Sequence, residues 1–410
     1  MTMQVCRHGA THAARWCAVL AAAIALMFAL TMAGCGGSEG EGGVGVGGTG
    51  SYASGPITGF GSVIVNGIEF DDSPAQVEDE DGVPSSRSLL RLGMLTEIEG
   101  GPISGAPTAP VATASRIRFS SELAGPVESI DAAGRTLVVF GQGVRVALTT
   151  VFDDRLAAGL ASIAVGDVVV VYGFFDPRAN GFVATRIEPR PSGLPAFRVR
   201  GPVHDLDSVA RSFAIGARSF SYAGLAASAV PAALANGAFV RVLSSSAPPP
   251  NGRWTVLGFG PATTVRPIDQ DNARLRGLVT AFTSNTAFFV NGQPVDASGA
   301  SFPDGTAGLA PGARVEVEGS LRGGVLRAMK VEIDSDDGAS FDFQLKGSIE
   351  SQRPLLQTFV LRGVTVYYGA AIPFDKGAPA DIAVGAAAEV RGVLSADGTR
   401  LLATRVRIGK

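Results

Sequence analysis

Cysteine is confined to one end of this 410-residue chain: there are three, at Cys6, Cys17 and Cys35. Beyond position 35 no disulfide, cysteine nucleophile or thiolate metal site can form. Histidine is as scarce, with His8, His12 and then only His204. One histidine without cysteine cannot build a multi-histidine zinc site. A Ser-His-Asp arrangement through His204 is formally possible, but no Gly-x-Ser-x-Gly elbow leads into a helix, and His204 is expected to begin a surface loop. Charged residues are only 17% of the chain and balance to -3, with 7% aromatics. A nucleic-acid surface needs a basic groove with stacking rings, so that partner is not expected. The acidic stretches Asp71-Asp72, Glu78–Asp81 and Glu332–Asp337 could offer oxygens to calcium, yet none has the EF-hand spacing. No catalytic residue, cofactor or metal ligand is assigned.

What is present begins with an export address. Arg7 and Arg15 precede an apolar run from Trp16 to Met32, followed by Met32-Ala-Gly-Cys35 and glycines. This resembles a bacterial lipoprotein signal peptide, with Met where Leu is usual. The resemblance implies that Cys35 is lipidated and becomes the N-terminus after cleavage. An uncleaved anchor and an ordinary secretory signal are the alternatives, although the run is slightly short for a membrane span. Loss of Arg7 and Arg15 takes the formal charge from -3 to -5. Gly36, rather than Asp, follows Cys35, so the expected address is the outer membrane. Residues 35–54 are Gly-rich and read as a flexible tether, with a reach on the order of 25 Å.

The remainder repeats. A Gly-x-[Ile/Val] anchor recurs at Gly55, Gly125, Gly201, Gly277 and Gly347, at intervals of 70, 76, 76 and 70 residues. A second signature, Gly leading into alternating apolar residues, begins at Gly93, Gly166, Gly237, Gly312 and Gly385. A third, Ala-x-[Arg/Lys]-[Ile/Val], closes four copies at Ala114, Ala184, Ala328 and Ala403; the third copy has Trp254-Thr-Val-Leu-Gly-Phe259 there. Five copies in phase indicate internal duplication. In the first copy Val63-Ile-Val65 and Ile68-Glu-Phe70 flank Asn66-Gly67, the dipeptide that tolerates the two positive φ angles of a type I′ hairpin turn.

Each copy therefore reads as about five short strands. Five antiparallel strands leave two exposed edges unless the sheet curls shut, which points to an all-β chain of five tandem small OB-like barrels. The expected boundaries are 1–34 (signal), 35–54 (tether), then barrels at 55–120, 123–190, 197–262, 272–335 and 343–410. Each is expected to own a core, with polar joints at Ser120-Ser121, Pro189–Ser192, Ala262–Asn272 and Asp334–Gly338. The Gly-x-Ile-Thr-Gly-Phe-Gly-Ser-Val-Ile-Val-Asn-Gly-Ile-Glu-Phe stretch and the two later signatures resemble a family of OB-like barrels in exported bacterial proteins, a domain of unknown function. The resemblance covers about residues 55–410 and implies a fold and an exported location, with no activity.

The alternating charges fit a sheet. Glu97 and Glu99, or Glu316 and Glu318, would face Arg116 and Arg118, or their counterparts, across paired strands on the outer surface. The function expected is an exported, lipid-anchored chain with a binding or scaffolding role in the cell envelope. Its contacts would be the membrane, through the lipid, and an envelope protein or glycan. The alternative is an envelope enzyme acting on glycan or peptide through loop carboxylates.

Overall fold

Asn66 and Gly67 adopt φ of 50° and 71°, the left-handed pair a tight hairpin needs. They join Val63–Val65 to Ile68–Asp71 in the first of a series of small closed β-barrels. The computed structural model describes residues 50–190, 196–247, 249, 251–260, 269–334, 342–369 and 371–409. Cys35 and the expected signal and tether up to residue 49 lie outside the described residues. Among those described, the structure is all-β, interrupted only by 3-10 turns of three or four residues. None of its helices is long and apolar enough to cross a membrane.

In barrel 1, Ser51–Phe60 pairs antiparallel with Val63–Val65, which pairs with Ile68–Asp71. Ile68–Asp71 runs parallel to Ala109–Ser120, which pairs with Leu95–Gly100, and Leu95–Gly100 returns to Ser51–Phe60. The ring is closed, so neither edge is left open. The same circuit closes in barrel 2, from Leu123–Asp131 to Gly181–Pro189, and in barrel 3, from Ala196–Asp207 to Arg253–Gly260. It closes again in barrel 4, from Gln270–Ser284 to Val325–Asp334, and in barrel 5, from Phe343–Arg353 to Leu401–Gly409. Barrel 3 closes although its last strand lacks the third signature, because Trp254 and Val256 still alternate inward.

Two sets of glycines explain the regularity. Gly166 has φ of 96°, and its N–H donates to Val127 O at 2.8 Å while Val127 N–H donates to Asp167 O at 2.8 Å. Gly93, Gly237, Gly312 and Gly385 make the same bond to Ile57, Val203, Val279 and Ile349 at 2.7–2.9 Å. The anchor glycines instead make room for the hairpin turn. A Cβ on Gly125 would lie 2.7 Å from Cβ of Phe140, and Asn66, Asn291 and Arg362 lie similarly against Gly55, Gly277 and Gly347.

The barrels are not beads on a string. Ser51–Ser54, expected in the tether, is buried strand running parallel to Asn272–Leu275 of barrel 4. Gly59–Phe60 pairs with Gln344–Leu345 of barrel 5. One apolar cluster joins barrels 1 and 5 with Ala124, Val151, Val170 and Tyr172 of barrel 2, another joins barrels 2 and 3, and Tyr52 of barrel 1 enters the core of barrel 4. A closed sheet of this size encloses few side chains, so burying its outer face against neighbours adds the missing apolar area. The joint at Ser120-Ser121 is buried as a result, where exposure was expected.

A cavity at the junction of four barrels

Barrel 1 runs into barrel 2 without a linker: only Ser121 and Glu122 separate Ala109–Ser120 from Leu123–Asp131. The residues between are held, not solvated. Glu122 N–H donates to Val171 O at 2.8 Å, and Ser121 Oγ accepts from Arg198 Nη1 at 2.8 Å. Arg200 Nη1 donates to Glu122 Oε1 at 2.9 Å, and both side chains are buried. The arginines come from alternate positions of Phe197-Arg-Val-Arg200 in barrel 3, where strand geometry points them to the same side. Arg198 also meets Glu80, and Arg241 meets Asp81. The acidic run of barrel 1 is thus partly a set of counter-ions for barrel 3.

Against the Arg200–Glu122 pair lies a cavity of about 370 Å³, lined from barrels 1, 2, 3 and 4. Its walls are mostly apolar, with Phe174 and Phe175 of barrel 2, Phe239 of barrel 3 and Phe289 of barrel 4. Phe175 meets Phe239 edge-on at 5.1 Å, which welds barrel 2 to barrel 3. On the barrel 4 side the turn residue Asn291 is clamped: its Nδ2 donates to Arg276 O at 3.1 Å and its Oδ1 accepts from Leu278 N at 3.0 Å. The polar groups in the lining include Glu97, Glu122 and Arg200. Burial pushes the Glu122 carboxyl above its ordinary range, with Arg200 opposing the shift. A volume of this size, mainly apolar with few convergent polar groups, suits a small ligand. Chemically the site can desolvate an apolar body and orient one polar end.

The other singled-out residues lie elsewhere. His204 is in the first strand of barrel 3, not at the start of a loop; its Nδ1 is 2.8 Å from Asp205 Oδ2 and its Nε2 2.9 Å from Gly216 O. Glu78 bridges Arg116 at 3.4 Å and Arg118 at 2.9 Å. Glu97 and Glu99 face Arg118 and Arg116 in register, as the alternation predicts, although Arg118 is buried rather than on an outer surface. Among the described residues no three His, Cys, Asp or Glu side chains gather as a metal site. Asp336 and Asp337 fall outside the described residues. The cavity itself was not foreseen from sequence; its one local sign was Ser121-Glu122 facing the alternating Arg198 and Arg200.

Three segments match one family model. Residues 124–188, 276–332 and 346–407 are similar to the domain of unknown function DUF5666. Each DUF5666 segment runs from the first strand to the closing strand of one barrel: 2, 4 and 5 respectively. The matched residues are fewer than the resemblance over 55–410 implied, and amount to under half of the chain. No curated protein matches the chain.

Proposed function

We propose that this chain is an exported, lipid-anchored binding protein of the cell envelope, held by Cys35 in the outer membrane. On this reading the chain is five OB-like repeats at a spacing of 70–76 residues, built by duplication of a DUF5666-like unit. The observation that carries the binding role is the cavity of about 370 Å³ shared by four barrels. Repeated weak sites on separate barrels would lose affinity steeply as barrels are deleted, whichever barrel is removed. A jointly built cavity loses binding when any one of the four walls is removed.

The test uses the apolar fluorophore N-phenyl-1-naphthylamine as probe. Ala281, an exposed residue at the cavity lining, is replaced by tryptophan to fill the space. Saturable binding to the wild type that is abolished by Ala281→Trp, at an unchanged melting temperature, supports the reading. No saturable uptake, or uptake unaltered in the variant, refutes it. For the anchor, Cys35→Ala should move the protein from the detergent phase to the aqueous phase.

A further inference from the structure

The fourth and fifth strands of each barrel pair antiparallel, and the pair of residues just before the bulge can be compared between barrels. In barrel 1 this pair is Glu99 opposite Arg116, bridged at 3.2 Å. In barrel 4 it is Glu318 opposite Lys330. In barrel 5 the acid is replaced: Arg391 stands directly opposite Arg405. Like charges at facing positions of a sheet repel, so this pair works against the fold that contains it.

The neighbours offset it only in part, Asp375 bridging Arg405 but not Arg391. Arg407, two residues on, lies opposite Glu389, with Nη1 to Oε2 at 3.6 Å. Asp375 serves both Arg405 and Arg407, at 3.3 Å and 3.8 Å. Arg391, Arg405, Arg407 and Glu389 line one small pocket of about 110 Å³. It shares Arg407 and Glu389 with a groove edged by Lys346, Arg362, Lys376 and Glu350. All three pocket arginines are exposed.

Charge is distributed unevenly along the chain in a way that isolates this face. Residues 50–120 carry four Lys or Arg against nine Asp or Glu, and residues 343–410 carry nine against five. The arginines of barrel 3 dock on the acids of barrel 1 through Arg198 and Arg241. Barrel 5 reaches that acidic barrel through Lys346 and Glu69, at 3.6 Å, while its arginine face points to solvent.

We propose that the Arg391–Arg405–Arg407 face of barrel 5 is a binding site for a multiply charged phosphate group. Guanidinium forks present paired N–H donors that match phosphate oxygens, and a dianion between two of them converts their repulsion into attraction. The group could arrive on a lipid head group or as a soluble phosphate; the chemistry at the arginines is the same. This site is independent of the cavity, shares none of its residues, and stands or falls separately from it.

The test is thermal melting of the Cys35→Ala full-length chain with pyrophosphate as probe, at ionic strength held constant with sodium chloride. Pyrophosphate should raise the melting temperature saturably, because a ligand of the folded state stabilises it. Arg391→Glu restores the acid seen in barrels 1 and 4. It should melt no lower than the parent without pyrophosphate, yet bind pyrophosphate about tenfold or more weakly, in line with loss of a charge-assisted contact. Arg391→Gln should also weaken binding, without creating a new ion pair. Co-sedimentation with phosphatidylcholine vesicles, with and without phosphatidic acid, separates the sources. Capture only by phosphatidic acid, competed by pyrophosphate, assigns a lipid head group; a pyrophosphate shift without vesicle capture assigns a soluble phosphate. Neither a shift nor capture, or an equal shift in Arg391→Glu, overturns the proposal.

Discussion

Phe140 of barrel 2 lies over the bare Cα of Gly125 and is entirely buried, although its own backbone is left-handed at φ of 47°. A bulky residue there is a steric outlier, and its ring explains why it stays. The ring sits inside the aromatic group of barrel 3, with centroids 5.1 Å from Phe197 and 4.9 Å from Trp254. Phe140→Ala should cost about 3–5 kcal/mol by urea denaturation, the usual price of a large core truncation. Gly125→Ala should also destabilise, and should do so less in the Phe140→Gly background, which removes the Cβ that the new methyl would meet at 2.7 Å. Strict additivity would show that the two residues do not touch in the way described.

Arg186 ties barrel 2 to barrel 1. It donates to Asp153 at 2.9 Å, to Glu188 at 2.6 Å and to the Leu92 carbonyl at 3.2 Å. Arg186→Met should cost about 3–5 kcal/mol, because it takes a buried cation away from the buried Asp153 and the half-buried Glu188. Burial alone would raise the pKa of Asp153, but hydrogen bonding from Arg155 and the Arg186 charge hold it below the ordinary 3.8. A lowered carboxyl pKa adds stability above its unfolded value that is lost as pH falls through the folded one. The stability difference between wild type and Asp153→Asn should therefore be flat above about pH 4 and shrink below it. A difference that persists unchanged in stronger acid would rule this out.

Gly166 sits at φ of 96°, and a Cβ built there would meet nothing within 4 Å. Any cost of Gly166→Val is therefore backbone strain alone, about 1–3 kcal/mol. Gly166→Asn should cost less, since Asn tolerates left-handed backbone. Equal melting curves for the two variants would point to crowding by neighbours instead.

Limited proteolysis separates packed barrels from independent ones. Ser121 is 2% exposed and bonded to Arg198, so the native chain should resist cleavage at Ser120-Ser121. Chymotrypsin should cut early at Leu355, which is fully exposed in the turn Pro354–Leu356. Early release of a fragment ending at Ser120 would restore the beads-on-a-string picture.

The hairpins and the closed circuit were legible because their causes are local. Asn66-Gly67 announces its turn by sterics, and the Gly166 class announces a positive φ through spacing alone. The use of the anchor glycines was not legible, because what lies over Gly125 is decided by a side chain fifteen positions away that also serves another barrel. The ion-paired junction beside the cavity was hidden for a stronger reason. Glu80, Asp81, Ser121 and Glu122 have the composition of solvated loop, and only Arg198, Arg200 and Arg241, brought in by tertiary packing, give them a different role. The chemistry of each residue was readable, whereas the company it keeps was not.

The strand Ser51–Phe60 has a further consequence for the order of events in folding. Its first four residues pair with Asn272–Leu275 and its last two with Gln344–Leu345, partners more than two hundred positions downstream. A chain emerging from its N-terminus cannot finish its first barrel's surroundings until most of its length has appeared. Such long-range pairing makes maturation slow and leaves an early edge waiting for a late partner. Synthesis order and assembly order therefore run against each other, and the earliest strand is among the last to be fully covered.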